Sequence, residues 1–191
     1  GLPINKFVVA TNQNDILHRA ITNGTYNVKN VLETISPSMD IQIASNFERL
    51  IFDLNNHNDK KTIEVMKSIK EKGKYEIQKE FLDKINVDFL SARMDENEVL
   101  STIKTVYEKF DKVLDPHSAI GYGAFDKVNL KGNNIVLATA HPCKFPNVIE
   151  KAINIKSKLP SELGFILNEK ENYDIIDNDL NKIKQHIKER I

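Results

Sequence analysis

The feature that most constrains this sequence is the alternation of short apolar runs with longer stretches of helical periodicity. Residues 6–10, 87–92 and 134–140 are runs of strand length, and the last of them reads NIVLATA. The stretches between and after them carry apolar residues three and four positions apart. This alternation predicts an α/β layered fold with a mostly parallel sheet and abundant helices.

Local signals predict where the N-terminal helices begin and end. Asn14 or Asp15 is expected to cap a helix that follows the first strand, and Gly24 is expected to end it. Asp40 is expected to cap a second helix, because an apolar stripe at helical spacing follows it. Residues 58–85 are rich in Lys and Glu of alternating sign. This stretch predicts two solvated helices that separate at residues 72–74.

The C-terminal half carries helix signals of its own. Asp95 and Glu98 have the spacing of a capping box, which predicts a helix through about Phe110. Pro116 suits the first turn of the following helix, and the small residues after it permit close packing. A further helix is expected from about residue 147. The last predicted helix carries the amphipathic stripe Ile176, Leu180, Ile183, Ile187 and Ile191.

Composition excludes several classes of function. Lys plus Arg equals Asp plus Glu at 27 each, so neither nucleic acid nor an anionic membrane surface is expected as a partner. The apolar runs are too short to span a bilayer, and no signal peptide is recognised. The single cysteine, Cys143, excludes an internal disulfide and favours a reducing cytoplasmic compartment. His141 lies two positions from it, but no further ligand is nearby, so no metal site is predicted.

Parallel sheets bind ligands at the carboxyl ends of their strands. This rule selects the segments ATNQND, SARMDEN and ATAHPCKFP, together with the hydroxyl-rich loop at residues 34–38. Their side chains are mainly neutral hydrogen-bonding groups, which suit the orientation of a polar ligand. No G-x-S-x-G, G-x-x-x-x-G-K-[ST] or G-x-G-x-x-G motif accompanies them. The candidate side chains are Thr11, Asn12, Asn14, Asp15, Thr34, Ser36, Ser38, Asp115, His117, Ser118, Thr139 and His141.

Four blocks of the sequence carry a family resemblance. They read VATNQNDILHRAITNGTYNV, TISPSMDIQIASNFERLIF, LDPHSAIGYGA and LATAHPCKFP, in that order along the chain. Together they resemble the C-terminal portion of the threonine synthase family, in the longer class found in many bacteria and in fungi. The blocks extend over most of the chain, to residue 146.

The resemblance implies a fold, a cofactor and a reaction. Threonine synthases have the tryptophan-synthase-like fold (fold type II) and use pyridoxal 5'-phosphate to convert O-phospho-L-homoserine and water into L-threonine and phosphate. By the resemblance, Thr139 would donate a hydrogen bond to the pyridine nitrogen of the cofactor. The loops that contain Asn12, Asn14, Asp15, Ser36 and Ser38 would position the substrate or each other.

The chain departs from the family pattern in one large respect. The Schiff-base lysine and the Gly- and Asn-rich phosphate loop, which the family carries in its N-terminal half, are not recognised here. We therefore expect residues 1–191 to be the C-terminal part of the large cofactor-binding domain, with a helix-rich charged insertion around residues 55–86. The N-terminal half would be absent, although the start at Gly1 also suits simple processing.

A chain of this kind would supply no catalytic residue of its own and would be inactive alone. It would need the missing N-terminal half as a partner, with O-phosphohomoserine as the small-molecule substrate. Two alternatives remain open at this point. One is another β- or γ-replacing lyase of the same fold, and the other is a non-catalytic binding module that uses half of the scaffold.

Overall fold

The structure is a computed structural model that describes residues 2–191. The chain divides into two compact units: the first ends at Lys158, and the second comprises Leu159–Ile191. The strands are β1 Phe7–Thr11, β2 Thr25–Asn27, β3 Lys74–Glu76 and β4 Phe89–Arg93. The helices are α1 Ile16–Asn23, α2 Phe47–Leu54, α3 Asp59–Lys72, α4 Lys79–Asp88, α5 Glu96–Phe110, α6 Pro116–Val128, α7 Pro146–Ile153 and α8 Leu180–Lys188.

The first unit is built on one parallel pair of strands, β1 and β4. Phe7 lies opposite Phe89, and the register continues to the strand ends, where Thr11 lies opposite Arg93. The Met94 amide donates to the Thr11 carbonyl at 2.9 Å just beyond the last pair. The α/β prediction and the first two predicted strands are thus confirmed, with β4 beginning two residues later than expected.

The β1–β4 pair has an apolar cluster on each face. Val9 packs in the first cluster and Ala10 in the second, and successive strand residues point to opposite faces. The first cluster is covered by α1 to α4, and the second by α5, α6 and α7. Covering both faces explains why β1 is apolar from Phe7 to Ala10. In β4 the polar Ser91 is accommodated because its hydroxyl donates to the Val9 carbonyl at 2.7 Å.

Several helix signals are confirmed. Gly24 ends α1 in the left-handed conformation at φ +74°. Asp95 and Glu98 form both halves of the capping box of α5. A Cβ on Gly123 would lie 2.2 Å from Met94 Cε and 2.9 Å from Thr102 Oγ1, so α6 packs there at a distance that only glycine allows.

An antiparallel pair of strands, β2 with β3, is not predicted from the sequence. Tyr26 lies opposite Tyr75 in it, and Thr25 lies opposite Glu76. The pair includes β3 at the predicted break at residues 72–74, which correctly separates α3 from α4. Its strands have three residues each, which is too short for a periodicity signal.

The third predicted strand, residues 134–140, is wrong. Residues 133–139, which we call the 133–139 segment, form no regular secondary structure. Ile135 is 90% exposed and Leu137 is 75% exposed. An apolar run becomes a strand only where a neighbour satisfies its backbone groups, and within residues 2–191 β1 and β4 pair only with each other.

Two helix starts also differ from the prediction. Asp40 caps no helix: it follows a single 3-10 turn, Pro37–Met39, and α2 begins seven residues later at Phe47. The carboxylate of Asp40 accepts hydrogen bonds from loop donors instead. Asp15 occupies the N-cap position of α1 without a side-chain capping bond, because its carboxylate pairs with Arg19.

The second unit contains a 3-10 helix, Ser161–Asn168, and α8. Asp179 caps α8 by accepting from the amides of Asn181 and Lys182. Helix α8 is shorter than predicted: the two outer residues of the predicted stripe, Ile176 and Ile191, lie outside it. The apolar stripe of the helix is exposed: Leu180 by 65% and Ile187 by 51%.

Candidate functional site

The loop between β2 and α2 is organised around the carboxylate of Asp40. Its Oδ1 accepts from Asn12 Nδ2 at 2.7 Å, Asn14 Nδ2 at 2.9 Å and Thr34 Oγ1 at 2.7 Å. Its Oδ2 accepts from the Thr34 amide at 2.8 Å. Four donors from two separate loops therefore converge on one carboxylate. We call Asn12, Asn14, Thr34, Ser36 and Asp40 the Asp40 network.

The remaining polar atoms of the Asp40 network are also bonded within the protein. Asn12 donates to Ser36 Oγ at 3.0 Å, and its own Oδ1 accepts from the Asn14 amide at 2.8 Å. Asn14 Oδ1 accepts from the Leu32 amide at 2.8 Å. Asn12, Asn14 and Ser36 are each at most 3% exposed. Their polar groups hold the two loops to one another. Of the two roles that the resemblance implies, positioning of the substrate and positioning of the loops, these contacts favour the second.

Asp15 lies beside the Asp40 network but belongs to a separate charge cluster. Its carboxylate pairs with Arg19 Nε at 2.8 Å and with Arg93 Nε at 3.8 Å. Burial, the largest single influence, acts to raise the pKa of Asp15. The hydrogen bond from Arg19 and the charges of Arg19, Lys29 and Arg93 together outweigh burial and lower that pKa.

The first turn of α6 is the second polar centre of the region. Asp115 is 1% exposed and uses both carboxylate oxygens. Its Oδ1 accepts from the His117 amide and from His117 Nδ1, each at 2.9 Å. Its Oδ2 accepts from the Ser118 amide at 3.4 Å and from the Ser118 hydroxyl. One carboxylate therefore caps the helix and orients two side chains.

His117 and Ser118 each hold a backbone amide of another segment. The Ser38 amide donates to His117 Nε2 at 3.2 Å, and the Thr139 amide donates to Ser118 Oγ at 3.0 Å. The ring of Phe145 lies 4.9 Å from the His117 ring, centroid to centroid. The first turn of α6 thus brings together the hydroxyl-rich loop at residues 34–38 (the SPS loop), the 133–139 segment and the loop that follows that segment.

Thr139 and Ser38, two predicted site residues, differ in setting from Asn12, Asn14 and Ser36. Both are exposed and are held through their backbone amides. The Thr139 hydroxyl has no hydrogen-bond partner among residues 2–191. His141 Nδ1 accepts from the Cys143 amide at 3.2 Å and so closes a local turn.

Neither a metal cluster nor a membrane span is found in the part of the chain that the structure describes. No group of three His, Cys, Asp or Glu side chains in residues 2–191 could hold a metal ion. No helix within the same range is long and apolar enough to cross a bilayer.

Sequence reasoning missed two features of this site. The sequence predicts Asp40 as a helix cap and not as an acceptor shared by two loops. Glu96 was not singled out, yet its Oε1 accepts from the Ile35 amide at 3.0 Å and so ties the loop to α5. The available signal was the crowding of amides and hydroxyls at residues 12–14 and 34–36, which need a shared acceptor when they are buried.

The chain is similar in sequence and structure to known proteins. Residues 118–187 match the family model described as threonine synthase, C-terminal. The chain is 36% identical over 190 residues to a threonine synthase of Pseudomonas aeruginosa and 35% identical over 218 residues to that of Saccharomyces cerevisiae. These matches cover 98% and 100% of the chain, and 40% and 42% of the two relatives.

The chain also matches the crystal structure of a PLP-bound threonine synthase from Brucella melitensis with a TM-score of 0.90 and 37% identity. The match covers 99% of this chain and 41% of that one. The chain belongs to the threonine synthase family. It corresponds to the C-terminal portion and spans about two fifths of the length of the threonine synthases named above. Its α/β fold is that of the corresponding region of the threonine synthase structures.

Proposed function

We propose that this chain supplies one wall of the active site of a pyridoxal-phosphate-dependent threonine synthase. The reaction would convert O-phospho-L-homoserine and water into L-threonine and phosphate, in the cytoplasm, as a step of threonine formation. The observation that carries the proposal is the first turn of α6, which bonds both the Ser38 amide and the Thr139 amide. Two segments that resemble site segments of the family thereby meet at one point.

The residues present fit the cofactor at Thr139. Pyridoxal phosphate, when bound, supplies an electron sink for carbanions. Its pyridine nitrogen accepts a hydrogen bond when it is unprotonated, and the exposed Thr139 hydroxyl is a neutral donor with no competing partner in residues 2–191. The nearby carboxylate, Asp115, is already bonded to His117 and Ser118. Thr139 would therefore hold the ring nitrogen in its neutral form.

The Asp40 network would act on the substrate side by holding the SPS loop in place. Its buried amides and hydroxyls are bonded to protein, so we assign Asn12, Asn14 and Ser36 to loop positioning. Ser38 is exposed on the same loop, and its hydroxyl is available for a polar group of the substrate. Asp15 would support α1 and the end of β4 through Arg19 and Arg93.

Activity is assigned to this chain together with the further region that its relatives carry. The test is a chimera in which these 191 residues replace the matching C-terminal portion of the Pseudomonas aeruginosa relative. Phosphate release from O-phospho-L-homoserine is measured with added pyridoxal phosphate, for the chimera and for the 191-residue chain alone. We expect turnover by the chimera and none by the chain alone.

Thr139 supplies the matched controls for this experiment. Thr139→Val removes the hydroxyl at nearly constant shape, and Thr139→Ser retains it. We expect the valine variant to lose at least about tenfold in kcat, in the range found when a positioned donor to a reacting system is removed, and the serine variant to stay close to wild type. A chimera that folds and binds pyridoxal phosphate but releases no phosphate would exclude the reaction and favour another lyase of this fold.

A further inference from the structure

We propose that Ser118, with its hydroxyl oriented by Asp115, is a positioning residue that fixes Thr139 at the cofactor. The inference rests on the proposed function and deepens it, because it names what holds the cofactor-facing threonine in place. The contacts that carry it join the first turn of α6 to the 133–139 segment.

Asp115 determines the direction in which the Ser118 hydroxyl donates its hydrogen bond. A serine hydroxyl can donate or accept, and its hydrogen rotates to suit its neighbours. Ser118 faces Asp115 Oδ2, which can only accept, so the hydroxyl must donate there. Its lone pairs are then left for the Thr139 amide, which donates to Ser118 Oγ at 3.0 Å. Asp115 thus makes Ser118 an acceptor for the backbone of the segment.

The 133–139 segment has few hydrogen bonds to the rest of the described chain. Apart from a local bond from Asn134 Nδ2 to the carbonyl of neighbouring Gly132, the bond from the Thr139 amide to Ser118 is the one hydrogen bond within residues 2–191 that joins the 133–139 segment to the rest of the chain. The anchor is rigid, because Ser118 is 2% exposed and Asp115 is 1% exposed. The segment itself is exposed along most of its length. The exposed 133–139 segment is therefore anchored at Thr139, the residue whose side chain would contact the cofactor.

His117 repeats the arrangement one residue earlier and serves as an internal reference. Asp115 Oδ1 accepts from Nδ1–H of His117, which leaves Nε2 as the acceptor for the Ser38 amide. Removal of the Ser118 hydroxyl breaks the link to Thr139 and leaves the His117 link intact. A positioning role therefore predicts an effect at Thr139 that does not extend to Ser38.

The first measurement is amide hydrogen exchange by NMR in the complete 191-residue chain, without cofactor. We expect Ser118→Ala to speed exchange of the Thr139 amide by roughly fivefold, as for the loss of one ordinary hydrogen bond. The Ser38 amide should keep its wild-type rate, and Ser118→Thr should restore protection at Thr139. Ser101→Ala, at an exposed serine of α5, is the matched control. Unchanged exchange at Thr139, or equal acceleration at Ser38 and Thr139, would overturn the proposal.

The second measurement addresses the cofactor in the Pseudomonas aeruginosa chimera. Ser118→Ala should raise the Kd for pyridoxal phosphate several-fold and shift the absorbance of the bound cofactor in the same direction as Thr139→Val, with Ser118→Thr close to wild type. Faster Thr139 exchange with unchanged cofactor affinity and absorbance would reduce Ser118 to a structural residue. Failure of the wild-type chimera to bind pyridoxal phosphate would refute the proposed function, while the exchange data would still decide whether Ser118 holds Thr139.

Discussion

The Asp40 network and the 133–139 segment were both candidates for the functional site, yet their structures are opposite. The network is polar, with Asn12, Asn14 and Ser36 buried and Thr34 and Asp40 half-buried, and its carboxylate and carboxamide groups are bonded to one another. The segment is largely apolar and exposed, and apart from a local bond between Asn134 and Gly132 it is tied to the rest of the described chain by one hydrogen bond to Ser118. Polarity does not by itself place a side chain toward a ligand, and apolarity does not by itself place one in a core.

The difference has a physical origin in what each region needs from its neighbours. Buried amides and hydroxyls are stable only when they are paired, and the two loops that form the network supply partners to each other. An apolar strand must find a neighbouring strand, and within residues 2–191 none is offered to the 133–139 segment. The hydrogen-bonding groups of the network are satisfied within the described chain, and those of the segment are mostly not. Mutations in the network should therefore destabilise the fold strongly, and mutations in the segment should hardly affect its stability.

The largest expected effect is at the centre of the network. Asp40→Ala should lower the free energy of unfolding by about 3 kcal/mol, because the two buried amides of Asn12 and Asn14 each lose one of their acceptors, and the amide and hydroxyl of half-buried Thr34 lose theirs. Urea denaturation monitored by circular dichroism measures it. The control is Asp53→Ala, whose side chain is 68% exposed, with a change expected within about 0.5 kcal/mol. Equal losses in both variants would show that the network does not stabilise the chain.

Two glycines of α6 allow the interior and the 133–139 segment to be compared by mutation on one helix, because Gly123 faces the buried Met94 and Gly121 faces Val136 of the segment. Gly123→Ala should cost about 2 kcal/mol, since its Cβ would lie 2.2 Å from Met94 Cε. Gly121→Ala places its Cβ 3.2 Å from Val136 Cγ1, and the exposed segment can yield. We expect that change to stay within about 0.5 kcal/mol, because alanine also favours the helix. Thermal unfolding of both variants decides the comparison, and a larger loss at Gly121 would mean that the segment is firmly packed.

Acid should weaken the charge cluster beside the network by a smaller amount. The pKa of Asp15 is lowered below its ordinary 3.8 in the folded chain, so its stabilising contribution is complete above that value. The contribution is lost as the pH falls through the lower folded pKa. Asp15→Asn should cost about 0.5 kcal/mol at pH 7, and the difference from wild type should vanish in strong acid. Urea titrations at a series of pH values test this, and a constant difference would contradict it.

The smallest effect on stability is expected in the 133–139 segment. Ile135→Lys and Leu137→Lys should each change the unfolding free energy by less than about 0.5 kcal/mol, because these side chains are 90% and 75% exposed. The reference is Ile149→Ala, at a fully buried site of α7, with an expected loss of about 3 kcal/mol. A cost at Ile135 or Leu137 comparable with that at Ile149 would mean that the segment is buried in solution.

Much of the fold could be predicted from local patterns. β1, the capping box of α5, the glycine end of α1 and the break at residues 72–74 all follow from signals carried by a few neighbouring residues. The antiparallel β2–β3 pair could not, because Tyr26 and Tyr75 are 49 positions apart in the sequence and their strands are only three residues long. The 133–139 segment reads as a strand because strand propensity says nothing about whether a partner strand is present.

The candidate site was predictable in its parts but not in its connections. The strand-end rule selected Asn12, Ser36, Asp115, Ser118 and Thr139 from their positions alone. It could not show that Asp40 bonds both neighbouring loops, or that α6 bonds Ser38 and Thr139. Those links depend on which side chains meet in space, and a carboxylate followed by an apolar stripe reads equally well as a helix cap.

Asp115 has a consequence for how the two loops can move. One oxygen of its carboxylate sets the acceptor that holds Ser38, and the other sets the acceptor that holds Thr139. The two loops therefore share one reference point, and a shift of this carboxylate disturbs both attachments together. Such an arrangement makes the positions of the loops thermodynamically linked. Ordering of one loop by a ligand would lower the entropic cost of ordering the other.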